Sequence, residues 1–186
     1  MQNNVEYKPV DFTVQQKILA LRPVYAIKDS SNNVFMEVKR NFFNPFFPHL
    51  YVKGPDGRPI GDIQGNLFRT KWKITDPQGN LHASIRMPFF SFFMKHFDMQ
   101  TPTGNFKSGN SFFGLKFDCY DSQGKVAWVV DKKVFSIRDT FQIKSFGMLS
   151  PFVTTMSAIC IDQRFFKSGG FLSGFGGIFG FFLRNE

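Results

Sequence analysis

Three histidines, His49, His82 and His96, and two cysteines, Cys119 and Cys160, are the side chains best suited to hold a metal or attack a substrate. Their spacing supports neither. A zinc site gathers ligands at short fixed intervals, as in His-x-x-x-His or Cys-x-x-Cys, and these five residues are scattered from position 49 to position 160. Cys160 falls in an apolar stretch, where burial disfavours the thiolate and leaves the thiol inert. Asp29, Asp56, Asp76 and Asp121 lie in turn sequences, where an aspartate caps the local backbone and needs no acid–base role to explain it. There is no Gly-x-Ser-x-Gly nucleophile elbow and no Gly-x-x-x-x-Gly-Lys phosphate loop. The residues point away from an enzyme and away from any metal or cofactor.

The chemistry that remains is electrostatic and interfacial. A formal charge of +9 predicts attraction to anionic partners. Arg69, Lys71 and Lys73 alternate with Thr70, Trp72 and Ile74, and across the next turn His82, Ser84 and Arg86 alternate with Leu81, Ala83, Ile85 and Met87. Strand alternation sends the second set of each pair inward. Arg69, Lys71, Lys73 and Arg86 are then expected on the outer face of one hairpin, able to grip anionic lipid head groups, although a solvated outer face is the ordinary fate of strand cations. The 27 phenylalanines exceed what one core can hold, so some must meet a partner at the surface. Phe42, Phe43, Phe46 and Phe47 fall in a proline-broken segment, Asn41 to His49, and Phe171, Phe175 and Phe179 in a Gly/Phe-rich tail. Both segments suit apolar contact with a membrane boundary or a protein. A nucleic-acid partner shares the charge argument but lacks a recognition helix or a ribonucleoprotein-type motif.

These residues must be positioned by β-hairpins. From Val24 to Phe146 the chain repeats an alternating run, a turn rich in Asp, Asn and Gly, and a second alternating run. Turns at Asp29–Asn33, Pro55–Gly57, Asp76–Asn80, Thr101–Asn105 and Asp121–Lys125 recur at intervals of about 20 to 27 residues, which predicts a closed antiparallel barrel. The stretch from Ser150 to Phe166 reads as a helix, with Ser150 as N-cap and Pro151 at the first helical position. It is apolar on nearly every side and about 25 Å long, too short to span a bilayer. Such a helix is expected inside the barrel. The chain divides into an arm (1–23), the barrel with its helix (24–168) and the tail (169–186). With no signal peptide ahead of Val24 and both cysteines at positions expected to be buried, a reduced, cytoplasmic setting with membrane association is expected.

Three groups of residues resemble the tubby C-terminal-like superfamily, which includes the LURP-one-related proteins and the phospholipid scramblases. Val14-Gln15-Gln16 leading to Tyr25-Ala26-Ile27-Lys28-Asp29 is similar to the opening of those domains. Asp76-Pro77-Gln78-Gly79-Asn80 resembles their repeated turns, and Phe141-Gln142-Ile143 followed by the apolar helix ending in Ile161-Asp162 resembles their last strand and terminal helix. The resemblance implies a mainly β fold of about 12 antiparallel strands around a central C-terminal helix. It also implies an anionic phospholipid, phosphoinositide-like or scramblase-related, as partner. The scramblases' cysteine-rich stretches and acidic calcium segment have no counterpart here, so calcium-driven scrambling does not carry over.

Overall fold

The computed structural model describes residues 9–17, 24–41, 46–89, 96–109, 116–133 and 140–165. Within them lie β1 (Val10–Lys17), β2 (Val24–Lys28), β3 (Val34–Arg40), β4 (His49–Lys53), β5 (Pro59–Gly65) and β6 (Lys71–Thr75). They continue with β7 (Leu81–Arg86), β8 (Asp98–Thr101), β9 (Gly104–Ser108), β10 (Lys116–Asp121), β11 (Val126–Lys133), β12 (Thr140–Ser145) and α1 (Pro151–Phe165). Every strand pairs antiparallel with its neighbour in the chain, and β1 pairs with β12 to close the barrel.

The hairpins are built by one local device. At Asp76 the carboxylate accepts from Asn80 N at 2.8 Å while Gly79 N donates to Asp76 O at 3.1 Å, with Gly79 at φ 88°. Asp121 repeats this with Lys125 N at 2.8 Å and Gly124 at φ 82°. At Asp29 the positive φ falls to Asn32, at 65°, which tolerates the left-handed region better than other residues with a side chain. A bulge precedes each of these turns, between Ile27 and Lys28, Ile74 and Thr75, and Cys119 and Tyr120. Such a bulge shifts the pleat by one residue. That shift overturns one expectation: Leu81, paired with Thr75 across the bulge, is 48% exposed instead of inward. Trp72, Ile74, Ala83, Ile85 and Met87 are buried as the alternation requires.

The barrel also starts earlier than the expected division at residue 24. Phe12 and Val14 are buried and alternate with Asp11, Thr13 and Gln15, so β1 has the same inward-outward pattern as the other strands and stands between β2 and β12. A run of so few apolar residues carries little periodic signal on its own.

The helix begins where Ser150 Oγ accepts from Val153 N at 3.2 Å, a side-chain N-cap. It packs against β1, β6, β7 and β12, and every residue from Val153 to Gln163 is buried. Burial of each large side chain such as Met156, Ile159 or Ile161 contributes roughly 1.5–3 kcal/mol. Small residues make room at the entry: a Cβ added to Gly61 would fall on the ring of Phe152 and 2.6 Å from Thr75 O. Gly61→Ala is accordingly expected to lower stability by about 3 kcal/mol in urea unfolding, and a loss below about 0.5 kcal/mol would contradict this packing. The buried hydroxyls of Thr154 and Thr155 meet no hydrogen-bond partner among the described residues. Thr155→Val, which deletes such a group at constant shape, should raise stability by about 1 kcal/mol in the same assay.

Candidate functional site

The alternation of up and down strands gives the barrel two unlike ends. One end carries the Asp/Gly turns and the start of α1; the other, the mouth, receives the C-terminal end of α1. At the turn end the polar contacts stay within single hairpins: Lys28 Nζ donates to Asn32 Oδ1 at 3.0 Å in the Asp29 turn, Arg58 Nε lies 3.3 Å from Asp56 Oδ2, and His82 Nε2 stands 4.0 Å from Asp76 Oδ2. The Asn80 side chain, hydrogen-bonded at 2.7 Å, holds the Asp76 carboxyl below its ordinary range. These aspartates shape turns.

The mouth is organised around the last turn of α1. Tyr25, buried at the start of β2, donates to Asp162 Oδ2 at 3.2 Å and accepts from Gln163 Nε2. Arg69 Nη1 donates to Gln163 O at 3.2 Å, and Arg164 Nη2 donates to Phe89 O at 2.7 Å and Pro88 O at 3.1 Å. Cations are favoured here because the helix C-terminus carries partial negative charge. Arg69 is held by its own turn: it sits at φ 55°, its N–H donates to Asn66 O at 2.9 Å, and its carbonyl accepts from Trp72 Nε1 at 2.9 Å. Burial lowers its guanidinium pKa, and the like charges of Arg40 and Arg164 lower it further.

This placement corrects the expectation for Arg69. It precedes β6 in a turn and reaches the helix end, so it does not share the outer face of the β6–β7 hairpin. The left-handed residue breaks the alternation that would have sent it outward. Lys71, Lys73 and Arg86 do lie exposed on that face, with Lys71 directly opposite Arg86 and Lys73 opposite Ser84. The row continues from Arg86 to Asp98 on β8 and to Lys107 on β9. Arg86, Asp98, Gln100, Asn105 and Lys107 border an open cleft of about 480 Å³.

Apolar side chains stand at the mouth beside these cations. Phe46, Phe47, Phe68 and Phe89 are each more than half exposed, and the rings of Phe68 and Phe89 meet edge-on with centroids 4.9 Å apart. Pro48 and Gly65, joined by a 2.8 Å backbone hydrogen bond, bring the Phe46–Phe47 segment alongside the Leu67–Phe68 turn. Sequence periodicity missed Leu67 and Phe68, which belong to a short turn. Their signal was two consecutive apolar residues where a turn should be polar. Phe42, Phe43, Phe171, Phe175 and Phe179 lie outside the described residues.

The scattered nucleophiles and ligands stay apart. His49 pairs with Asp62 at 3.0 Å on the barrel wall, and His96 is exposed. Cys119 and Cys160 are free and buried, and desolvation pushes both thiols upward. Among the described residues no group of His, Cys, Asp and Glu is placed to hold a metal. No helix among them is long and apolar enough to cross a membrane.

A twelve-strand closed barrel threaded by one C-terminal helix is the architecture of the tubby-like superfamily. The LURP-one-related family model matches residues 10–162, and the chain belongs to that family. A crystal structure of an Arabidopsis thaliana protein superposes with a TM-score of 0.56 at 11% identity, covering 84% of this chain and 91% of that one. A porin-like protein from Bacteroides uniformis aligns at a TM-score of 0.25 and 8% identity, over 74% of this chain and 96% of that one, below the level of a shared fold. No curated protein matches in sequence.

Because Tyr25 joins β2 to the helix end, Tyr25→Phe removes the hydroxyl that serves both Asp162 and Gln163. A loss of about 3 kcal/mol is expected by urea denaturation, since two buried polar groups lose a partner. A loss below about 1 kcal/mol would show that the helix end is held by other contacts.

Proposed function

We propose that this protein is a non-enzymatic, membrane-peripheral module that binds anionic phospholipid through the basic edge of the barrel, in a cytoplasmic setting. The observation that carries the reading is the pairing of Lys71 with Arg86 on the outer face. Like charges directly opposite on neighbouring strands are destabilising; Asp98, opposite Arg86 on β8, relieves part of that repulsion, and an anionic surface relieves the rest. Both residues end their strands on the side of the mouth, next to the exposed rings of Phe68 and Phe89. Cations around an apolar tip match a membrane interface, where aromatic rings enter the boundary and each basic residue contributes about 1 kcal/mol. Lys73, one step further from the mouth, reaches a head group only if the barrel tilts toward the β6–β7 face.

The exposed Phe68–Phe89 pair also suits a protein partner, which makes a signalling or structural adaptor the second reading. Co-sedimentation with phosphatidylcholine vesicles, with and without phosphatidylserine, across a salt series separates the two. Retention on anionic vesicles that falls with salt is expected, and removing both cations in Lys71→Ala/Arg86→Ala should weaken it about 30-fold. Equal retention of the double variant, or none by the native chain at low salt, would sink the lipid reading and move the search to protein partners.

A further inference from the structure

Asp98 stands between two cations. On the outer wall it lies directly opposite Arg86 of β7 and Lys107 of β9, so three neighbouring strands present charges in the order positive, negative, positive. With strands about 4.8 Å apart, the two cations start roughly 10 Å from each other and the carboxylate midway. Elsewhere on the surface, neighbouring opposite charges close into ion pairs, Lys39 with Glu37 at 3.2 Å and Arg58 with Asp56 at 3.3 Å. Asp98 does not: among the described residues its side chain makes neither a hydrogen bond nor an ion pair, and those of Arg86 and Lys107 make none either. The three instead edge the open cleft of about 480 Å³, which runs from this row down the wall, away from the mouth, past Ser84, Gln100 and Asn105 to the Asp121 turn. Ser84 and Asn105 lie opposite Gln100, and no side chain of these three is hydrogen-bonded among the described residues. Arg86, Asp98, Gln100, Asn105 and Lys107 are all exposed, open to a ligand.

A ligand that satisfies this row carries two anionic groups with a cationic one between them. A phosphoinositide, whose charges are all negative, leaves Asp98 opposed. Serine joined to a phosphodiester has the required order: the phosphate, then across one methylene the carbon that bears the ammonium, then the carboxylate. We propose that the cleft is a head-group site for phosphatidylserine, in which Arg86 takes the phosphate, Asp98 the ammonium and Lys107 the carboxylate. The planar fork of Arg86 matches phosphate oxygens, and the compact ammonium of Lys107 suits a carboxylate at the far edge. Arg86 is also the cation nearer the apolar tip, since the exposed Phe89 follows three residues later in the chain. The phosphate, which joins the head group to its acyl chains, therefore lies on the membrane side. Gln100 and Asn105 add amide donors and acceptors beside it. The site rests on the membrane reading above and gives it a particular head group.

Phosphatidylserine and phosphatidylglycerol carry the same net charge, but only the first has an ammonium and a carboxylate. The full chain is sedimented at low salt with phosphatidylcholine vesicles containing one or the other. Retention about tenfold stronger on phosphatidylserine is expected from the two added charge-assisted bonds. Soluble glycerophosphoserine should compete for that retention better than glycerophosphoglycerol. Asp98→Asn separates the site from plain attraction, because deleting a negative charge strengthens unspecific binding to any anionic vesicle. Its retention on phosphatidylglycerol should hold or rise while the preference for phosphatidylserine disappears, and Lys107→Gln should erase the preference as well. Equal retention of the native chain on the two vesicles, or a preference that survives Asp98→Asn, would overturn the head-group site and leave the membrane reading standing. No retention on either vesicle would overturn both.

Discussion

Enclosure of α1 is the constraint on which the other features rest. A helix buried on every side has no solvent face, so its diameter fixes the lumen that the strands must surround. The wall answers with side chains of very different size: Trp72 and Trp128 are wholly buried inside it, and Gly61 yields where Phe152 crosses. The small hydroxyl residues Thr154, Thr155 and Ser157 keep the helix narrow at the cost of polar groups in the core, and Ser157 offsets part of it by donating to Met99 Sδ at 3.1 Å.

The same enclosure makes the ends unequal. The N-terminus of α1 is closed by Ser150, but its last turn is tied to the wall: Tyr25 bonds the side chains of Asp162 and Gln163, Arg69 donates to Gln163 O, and Arg164 of the helix donates to the carbonyls of Pro88 and Phe89. Cations therefore collect at the mouth for a structural reason. Once there, they lie beside exposed aromatic rings and two further strand-end cations, and a partner for that end must accept both.

Much of the fold was legible because its repeating unit is local. The Asp-x-x-Gly spacing of Asp76 to Gly79 specifies a turn within a few residues, and the apolar run from Phe152 to Ile161 specifies an enclosed helix without reference to the wall. Leu81 and Arg69 were misread because a bulge and a left-handed residue each reset the alternation, and neither leaves a mark in apolar periodicity. The joining of Tyr25 and Arg69 to the helix end leaves no mark for another reason: these residues are brought to α1 by barrel closure and the threading of the helix, across separations that no spacing rule spans. β1 leaves little mark in the sequence because so few of its residues are apolar, Val10, Phe12 and Val14 among them.

Closure by β1 and β12, with α1 after both, also orders events during synthesis. The strand needed to seal the wall emerges first and its partner almost last, and the helix that fills the lumen follows the final strand. Until then the nascent chain is a growing sheet with one uncovered apolar face, and its most distant pairing is the one that completes it. A protein built this way depends on protection from aggregation while it is being made, far more than its finished surface would suggest.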